Sequence, residues 1–185
     1  MKNVLIISGH PDLSQSVANA AILEELATAL PDAEIRYLDK LYPNGQIDVP
    51  QEQEALLKAD LIVWQFPFSW YSVPGLLKLW IDRVFTHGFA HGSQAKLNGK
   101  KLLVSLTAGA PKAVYATDGF FGHNIEEYFA QFESTARLCN LDHQQPIYTC
   151  GLSYVGRDQA LAAEQRAEAK VFAQDVIARI KELSK

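Results

Sequence analysis

The chain is poor in cysteine, with only Cys139 and Cys150 among its 185 residues. They lack C-x-x-C spacing, so they fit reduced packing residues better than a disulfide framework or a metal knot, and no metal site is expected. Basic runs are equally scarce. The longest is Lys100-Lys101, and 17 Lys and Arg against 21 Asp and Glu leave a formal charge of −4; the electrostatic footprint of a nucleic-acid binder is missing. No segment approaches a membrane span, and the apolar run after Met1 is too short for a signal peptide, which predicts a cytoplasmic protein. Glycine-rich phosphate loops are also missing where one would look first. The segment Gly9-His10-Pro11-Asp12-Leu13-Ser14-Gln15-Ser16-Val17-Ala18-Asn19 holds a single glycine, matching neither G-x-G-x-x-G nor G-x-x-x-x-G-K-[ST]. Internal repeats and low-complexity linkers do not occur. With 48% apolar residues, the length suits one substantial core, and a single domain over residues 1–185 is expected.

What is present centres on the stretch from Ala59 to Phe85. Leu61 to Phe66 is apolar on both faces and rich in β-formers, as in a central strand of a parallel sheet covered by helices on both sides. Pro67 stops that strand and Pro74 can open a helix. Between them stand Phe68, Ser69, Trp70, Tyr71, Ser72 and Val73. Open α/β sheets bind ligands at the carboxyl ends of their strands, and large rings in such a loop make a flat apolar wall for a flat aromatic ligand. Trp64 and Phe66 are assigned to the core; Phe68, Trp70 and Tyr71 are the candidates for ligand contact. The helix that follows carries Leu76, Leu77, Trp80, Ile81 and Val84 on one face, and that face also suits dimer packing.

Elsewhere, strands and helices alternate. Val4 to Ile7 is a first strand, and Ser14 or Ser16 can cap a helix that runs to Pro31. A strand, a polar loop and a capped helix make an anion site, since free helix-start amides favour negative charge. Hydroxyl and amide side chains there can bond a phosphomonoester; an ordinary capped turn is the alternative. Glu34 to Leu38 reads as a half-exposed second strand, 39–50 as a loop, and Gln51 to Lys58 as a short helix. His87 and His91 are four apart, but Gly88 and Gly92 oppose a helix there and no third ligand is near in sequence. Lys101 to Leu106 is a fourth strand ending in Thr107-Ala108-Gly109-Ala110, small residues that let backbone amides approach a ligand edge. Asn124 to Asn140 reads as a helix, Pro146 to Cys150 as a fifth strand, and Asp158 to Lys185 as a long amphipathic helix. The alternation predicts a doubly wound five-stranded parallel sheet of order 2-1-3-4-5, with the loops after strands one, three and four at one edge.

The run P-F-S-W-Y-S-V-P-G-L-L-K-L-W-I-D-R-V-F from Pro67 to Phe85 resembles the signature P-x-x-W-[FY]-x-x-P-x-x-L-K-x-W-x-[DE]-[RK]-V-F of the flavodoxin-like NAD(P)H:quinone oxidoreductases. The resemblance extends over most of the chain and is nearest to short bacterial members, which include the ancillary subunit of glutathione-gated potassium efflux systems. It implies an FMN enzyme that takes hydride from NAD(P)H and passes two electrons to a quinone by a ping-pong route. The family's H-x(n)-S-x-x-N pattern falls on His10, Ser16 and Asn19, with Val17 in the same loop. Pro67, Phe68, Ser69, Trp70 and Tyr71 would line the flavin ring. Thr107, Ala108, Gly109 and Ala110 stand where the family has T-T-G-G, and Tyr115 falls at the spacing of its catalytic tyrosine. The family's histidine six residues later is replaced by Phe121, with His123 two further on.

FMN is preferred because the chain is short and resembles the FMN-using members, while FAD stays open. The resemblance also implies a homodimer with its pocket across the interface. A reading of another class is a regulatory subunit of a potassium efflux transporter, peripheral to the inner membrane face and retaining the flavin site. A one-electron flavodoxin-type carrier fits less well, because −4 is a modest charge for docking a basic partner. The residues leave open the choice between NADH and NADPH.

Overall fold

In a β-strand successive side chains point to opposite faces, so a strand buried on both faces must be apolar at every position. β1 (Val4–Ser8) and β3 (Leu61–Pro67) come close to that demand, with only Ser8 and Gln65 polar, and form the middle of the sheet. In the computed structural model, which describes residues 3–185, Val4, Ile6, Leu61 and Val63 face one helical layer. Leu5, Ile7, Ile62, Trp64 and Phe66 face the other. β1 pairs in parallel with β2 (Glu34–Tyr37) on one side and β3 on the other, and β3 pairs with β4 (Lys101–Thr107), with Phe66 opposite Leu106. The order β2-β1-β3-β4-β5 is that of a flavodoxin-like sheet.

The far edge departs from the sequence pattern. The expected single fifth strand is two short pieces, β5 (Asp142–His143) and β6 (Ile147–Thr149), both parallel to β4. Pro146 has no N–H for the ladder, which accounts for the interruption before Ile147.

α1 (Ala18–Ala29) and α6 (Gln159–Leu183) cover the first face, burying Ile22, Leu26, Phe172, Val176 and Ile180. The second is covered by α2 (Leu38–Leu41), α3 (Val49–Lys58), α4 (Gly75–Val84) and α5 (Ala130–Leu138). Two boundaries move. The segment expected as a loop up to Pro50 contains α2 and the start of α3, where Asp48 accepts the Gln51 N–H at 3.1 Å and Pro50 sits in the first turn, its missing N–H costing nothing there. The helix expected over 124–140 is a 3₁₀ segment, Ile125–Phe129, followed by α5, and Asn124 with Glu127 forms a capping box at its start.

One charged residue is buried in the second layer. Glu52 has no exposed surface; its Oε2 accepts from Trp80 Nε1 at 2.9 Å, and its Oε1 accepts from Arg36 Nε at 3.0 Å and from the Tyr42 hydroxyl. Burial, with the neighbouring carboxylate second, pushes the Tyr42 phenol up to about 12. The carboxylate thus joins β2, α3 and α4 through three donors. No helix among the described residues is long and apolar enough to cross a membrane.

Candidate active site

The loops after β1, β3, β4 and β6 enclose a cleft of about 610 Å³ at the carboxyl edge of the sheet. That is within the usual range for small-molecule sites. His10, Ser16 and Asn19 line it from the first loop, Pro67, Phe68 and Ser69 from the second, and Thr107 and Gly109 from the third.

The first loop is built by local bonding. Asp12 accepts the Ser14 N–H at 3.1 Å and the Ser14 hydroxyl at 2.6 Å, a turn that sets up the short 3₁₀ segment Leu13–Gln15. The Asp12 N–H donates to His10 Nδ1 at 3.1 Å, so Nδ1 is an acceptor and the neutral ring carries its proton on Nε2. Burial pushes the His10 pKa down, opposed by the carboxylates of Asp39 and Asp12. Ser16 Oγ accepts the Asn19 N–H at 3.0 Å, so the serine does cap α1, and its hydroxyl proton remains free to donate. Val17 heads the helix and is outside the cleft lining; as a first-turn residue it offers a backbone N–H rather than a side chain.

Asn19 lines the cleft from α1, but its side-chain bonds run inward. It is 2% exposed, and its carboxamide is committed inside the protein: Nδ2 donates to Thr107 Oγ1 at 3.0 Å and Oδ1 accepts from Gln65 Nε2 at 3.0 Å. Gln65 Oε1 in turn accepts from Ser105 Oγ at 2.6 Å. This buried chain ties α1 to β3 and β4 beneath the cleft and fixes the floor on which Thr107 stands, with the Thr107 hydroxyl proton left for a ligand. Gln65 and Ser105 were missed in the sequence, although each is a polar residue interrupting an apolar strand, which is the signal that would have found them.

The aromatic loop also departs from expectation. Trp70 and Tyr71 have φ of 48° and 63°, closing a two-residue hairpin in which Ser69 and Ser72 exchange N–H···O bonds of 3.0 Å. Two successive left-handed residues without glycine or asparagine cost about 1–2 kcal/mol each. The turn throws Trp70 outward, 91% exposed, and stacks Tyr71 on Tyr128 at 5.3 Å between ring centres. Neither lines the cleft; Phe68 alone of the three candidate rings does. Its N–H donates to Thr107 O at 2.7 Å and so holds two of the loops together.

In the third loop, Ala108 and Ala110 are engaged with the last strand rather than the cleft. The Ala108 N–H donates to Thr149 O, while Ala108 O and Ala110 O accept from the Leu152 and Gly151 N–H groups. Gly109 lies between them on the cleft wall, and its N–H has no acceptor among the described residues. Tyr115 is 6% exposed and stands behind Phe68, with ring centres 6.3 Å apart, rather than on the lining itself. Its hydroxyl has no hydrogen-bond partner among the described residues, and burial pushes its pKa up, which keeps it a donor. His123 is turned to Glu127, 3.0 Å away, and Phe121 packs on Tyr115; neither enters the cleft.

Sequence reasoning missed the fourth loop altogether. Leu152, Tyr154 and Arg157 line the cleft from the segment between β6 and α6. Gln165, 3% exposed, anchors that segment by donating to Ser153 O at 2.7 Å. The signal was available, because the loop leaves the same sheet edge as the other three.

A strand order of 2-1-3-4-5 with a polar loop, an aromatic loop and a small-residue loop meeting at one edge defines a flavodoxin-like binding domain. The chain belongs to the family described as Flavodoxin-like fold, whose model matches residues 2–172. It is similar to general stress protein 14 of Treponema denticola, solved in complex with FMN, with 35% identity, a TM-score of 0.87, and coverage of 98% of this chain and 99% of that one. It is also similar to a structure from Streptomycin violaceusniger named as a thermophilic tryptophan halogenase: 33% identity, TM-score 0.78, 90% of this chain and 95% of the other. An NADPH-quinone reductase from P. pentosaceus shares the fold at 24% identity and TM-score 0.72, over 94% and 98% of the two chains.

Proposed function

We propose that this protein is an FMN-dependent oxidoreductase that uses NAD(P)H to reduce quinones or similar electron-poor rings. The observation that carries the reading is the cleft itself. It sets hydroxyl and imidazole donors at the start of α1 on one side, and Phe68 with the free Gly109 N–H on the other. That is the donor set a phosphorylated flat ring needs, with uncharged bonds at one end and an apolar wall with an amide at the other. The Treponema denticola relative, alike over almost its whole length, is itself bound to FMN. Bound FMN would supply two-electron transfer; the protein supplies binding, orientation and electrostatics.

Ser16, His10 Nε2 and the first amides of α1 would hold the phosphate. Pro67, Phe68 and Ser69 would lie along the ring, Thr107 and Gly109 would face its polar edge, and the Tyr115 hydroxyl would reach that edge from behind Phe68. The aromatic-walled cleft at the carboxyl edge would serve donor and acceptor in turn, so their binding would alternate. Steady-state kinetics with NADPH and a soluble quinone are expected to give parallel double-reciprocal lines, with donor and acceptor competing at high concentration. Intersecting lines would require a second acceptor pocket and would overturn the shared-site reading.

We also propose a two-fold dimer. α4 buries Leu77, Trp80 and Val84 in its own core, leaving only part of its apolar face for a partner. Further support is the exposure of Trp70, Phe120 and Tyr154, at 91%, 87% and 78%, on the loops that follow β3, β4 and β6, since large apolar groups left in water favour an interface. Light scattering at micromolar concentration is expected to give twice the chain mass. Trp70→Ser should shift that mass toward the monomer; a wild-type monomer with full activity would contradict the proposal.

A further inference from the structure

The cleft lining contains a single permanently charged side chain, Arg157; His10 is held toward its neutral form, and every other lining residue is uncharged. Arg157 is half-buried and makes no ion pair among the described residues. A guanidinium kept partly out of water without a carboxylate partner is an open request for an anion.

Its position is set by two helices. The Arg166–Glu24 ion pair, and Lys170–Glu25 at 2.8 Å, lock α6 against α1 with both helices running the same way. Counting back from the first pair, six residues lead to the start of α1 at Ala18 and seven to the start of α6 at Gln159. The two N-termini therefore lie level, to within about a turn along the helix axes, at the same end of the layer, and Arg157, two residues before the second, lines the cleft with Ala18. The intervening Asp158 is drawn onto α6, accepting the Leu161 N–H at 2.8 Å. On the other side stands Ser16, with a hydroxyl proton to give. The loop is held rigidly enough to aim the side chain, through Gln165 to Ser153 O and through Leu152 N–H to Ala108 O.

We infer that Arg157 is the charge partner of a phosphomonoester dianion held between the starts of α1 and α6. The source of that phosphate rests on the FMN reading above: it is either the 5′-phosphate of FMN or the 2′-phosphate of NADPH. Either would gain a charge-assisted, potentially bidentate pair in place of the neutral bonds that the rest of the lining can make.

The test uses the full-length, flavin-stripped chain as wild type, Arg157→Gln and Arg157→Lys. Inorganic phosphate at constant ionic strength is expected to raise the melting temperature of the wild type and not of Arg157→Gln. FMN affinity, read by fluorescence quenching, should fall on the order of 10- to 100-fold in Arg157→Gln, with riboflavin affinity unchanged and the lysine variant in between. If FMN affinity instead holds and the NADPH-over-NADH preference in kcat/KM collapses, the anion is the donor's 2′-phosphate and the inference stands with that source. Equal losses for FMN and riboflavin would make Arg157 structural and overturn it, as would no change in all three arms. A wild type that binds neither flavin would end the FMN reading, and the phosphate arm would then decide Arg157 alone.

Discussion

Replacing Tyr115 by Phe is expected to slow reduction of the bound flavin by NADPH about 10- to 100-fold, because one preorganised donor to a developing charge is worth a few kcal/mol. The expectation rests on an unspent hydrogen bond. The Tyr115 ring packs among Phe68, Phe121 and Tyr128, while its hydroxyl, which bonds no described residue, reaches the surface instead of lying sealed in the core, where a ligand can meet it. Burial pushes its pKa above the usual 10, so the phenol stays protonated and able to donate throughout the neutral and mildly alkaline range. Phe keeps the ring and its packing and removes only the donor. Stopped-flow reduction under anaerobic conditions measures the step directly, and the effect on quinone affinity should be the smaller one. Reduction at the wild-type rate would assign Tyr115 to packing behind Phe68.

The second large effect is on stability. Glu52→Ala is expected to cost about 3–5 kcal/mol, the range for breaking a buried ion pair from one side. The variant leaves the Arg36 side chain, only 13% exposed, with the more exposed Glu34, 3.3 Å away, as its remaining carboxylate, and leaves Trp80 Nε1 and the Tyr42 hydroxyl without an acceptor. Urea unfolding followed by tryptophan fluorescence would report it. The double variant Glu52→Leu with Arg36→Met should recover most of the loss, since an apolar replacement of both partners removes the stranded charge. A loss under about 1 kcal/mol in the single variant would show that water reaches Arg36 and that the network contributes little.

Much of the sheet was legible because its strands obey one simple demand. Val4 to Ile7, Leu61 to Phe66 and Leu102 to Leu106 are apolar at nearly every position, Gln65 and Ser105 excepted, so as to be covered on both faces, and a run of that kind has few other readings. The edge was less legible, since a half-exposed strand is under weaker constraint and Pro146 could as well open a strand as divide one. In the site, the pattern located loops better than it located side chains. Ser16, Phe68 and Asn19 all line the cleft, but the inward commitment of the Asn19 carboxamide was not legible, because the partners that capture it, Gln65 and Thr107, are 46 and 88 residues away in sequence. Trp70 and Tyr71 escaped for a different reason. Nothing in S-W-Y-S announces a left-handed pair, which glycine or asparagine would have signalled, so their outward turn is visible only in the backbone angles. Arg157 lay in a loop whose sequence, Tyr154-Val155-Gly156-Arg157, matches no motif. Only the sheet order, which brings that loop to the same edge as the others, gives it a role.

Whether the cleft at the carboxyl edge holds FMN decides the proposed function. The direct test is the absorption spectrum of the purified protein together with the mass of whatever denaturation releases from it. The expected result is an oxidised-flavin spectrum and one FMN per chain, either as purified or after incubation of the flavin-stripped protein with FMN. A protein that stays colourless after that incubation, or one that releases FAD in place of FMN, would contradict it.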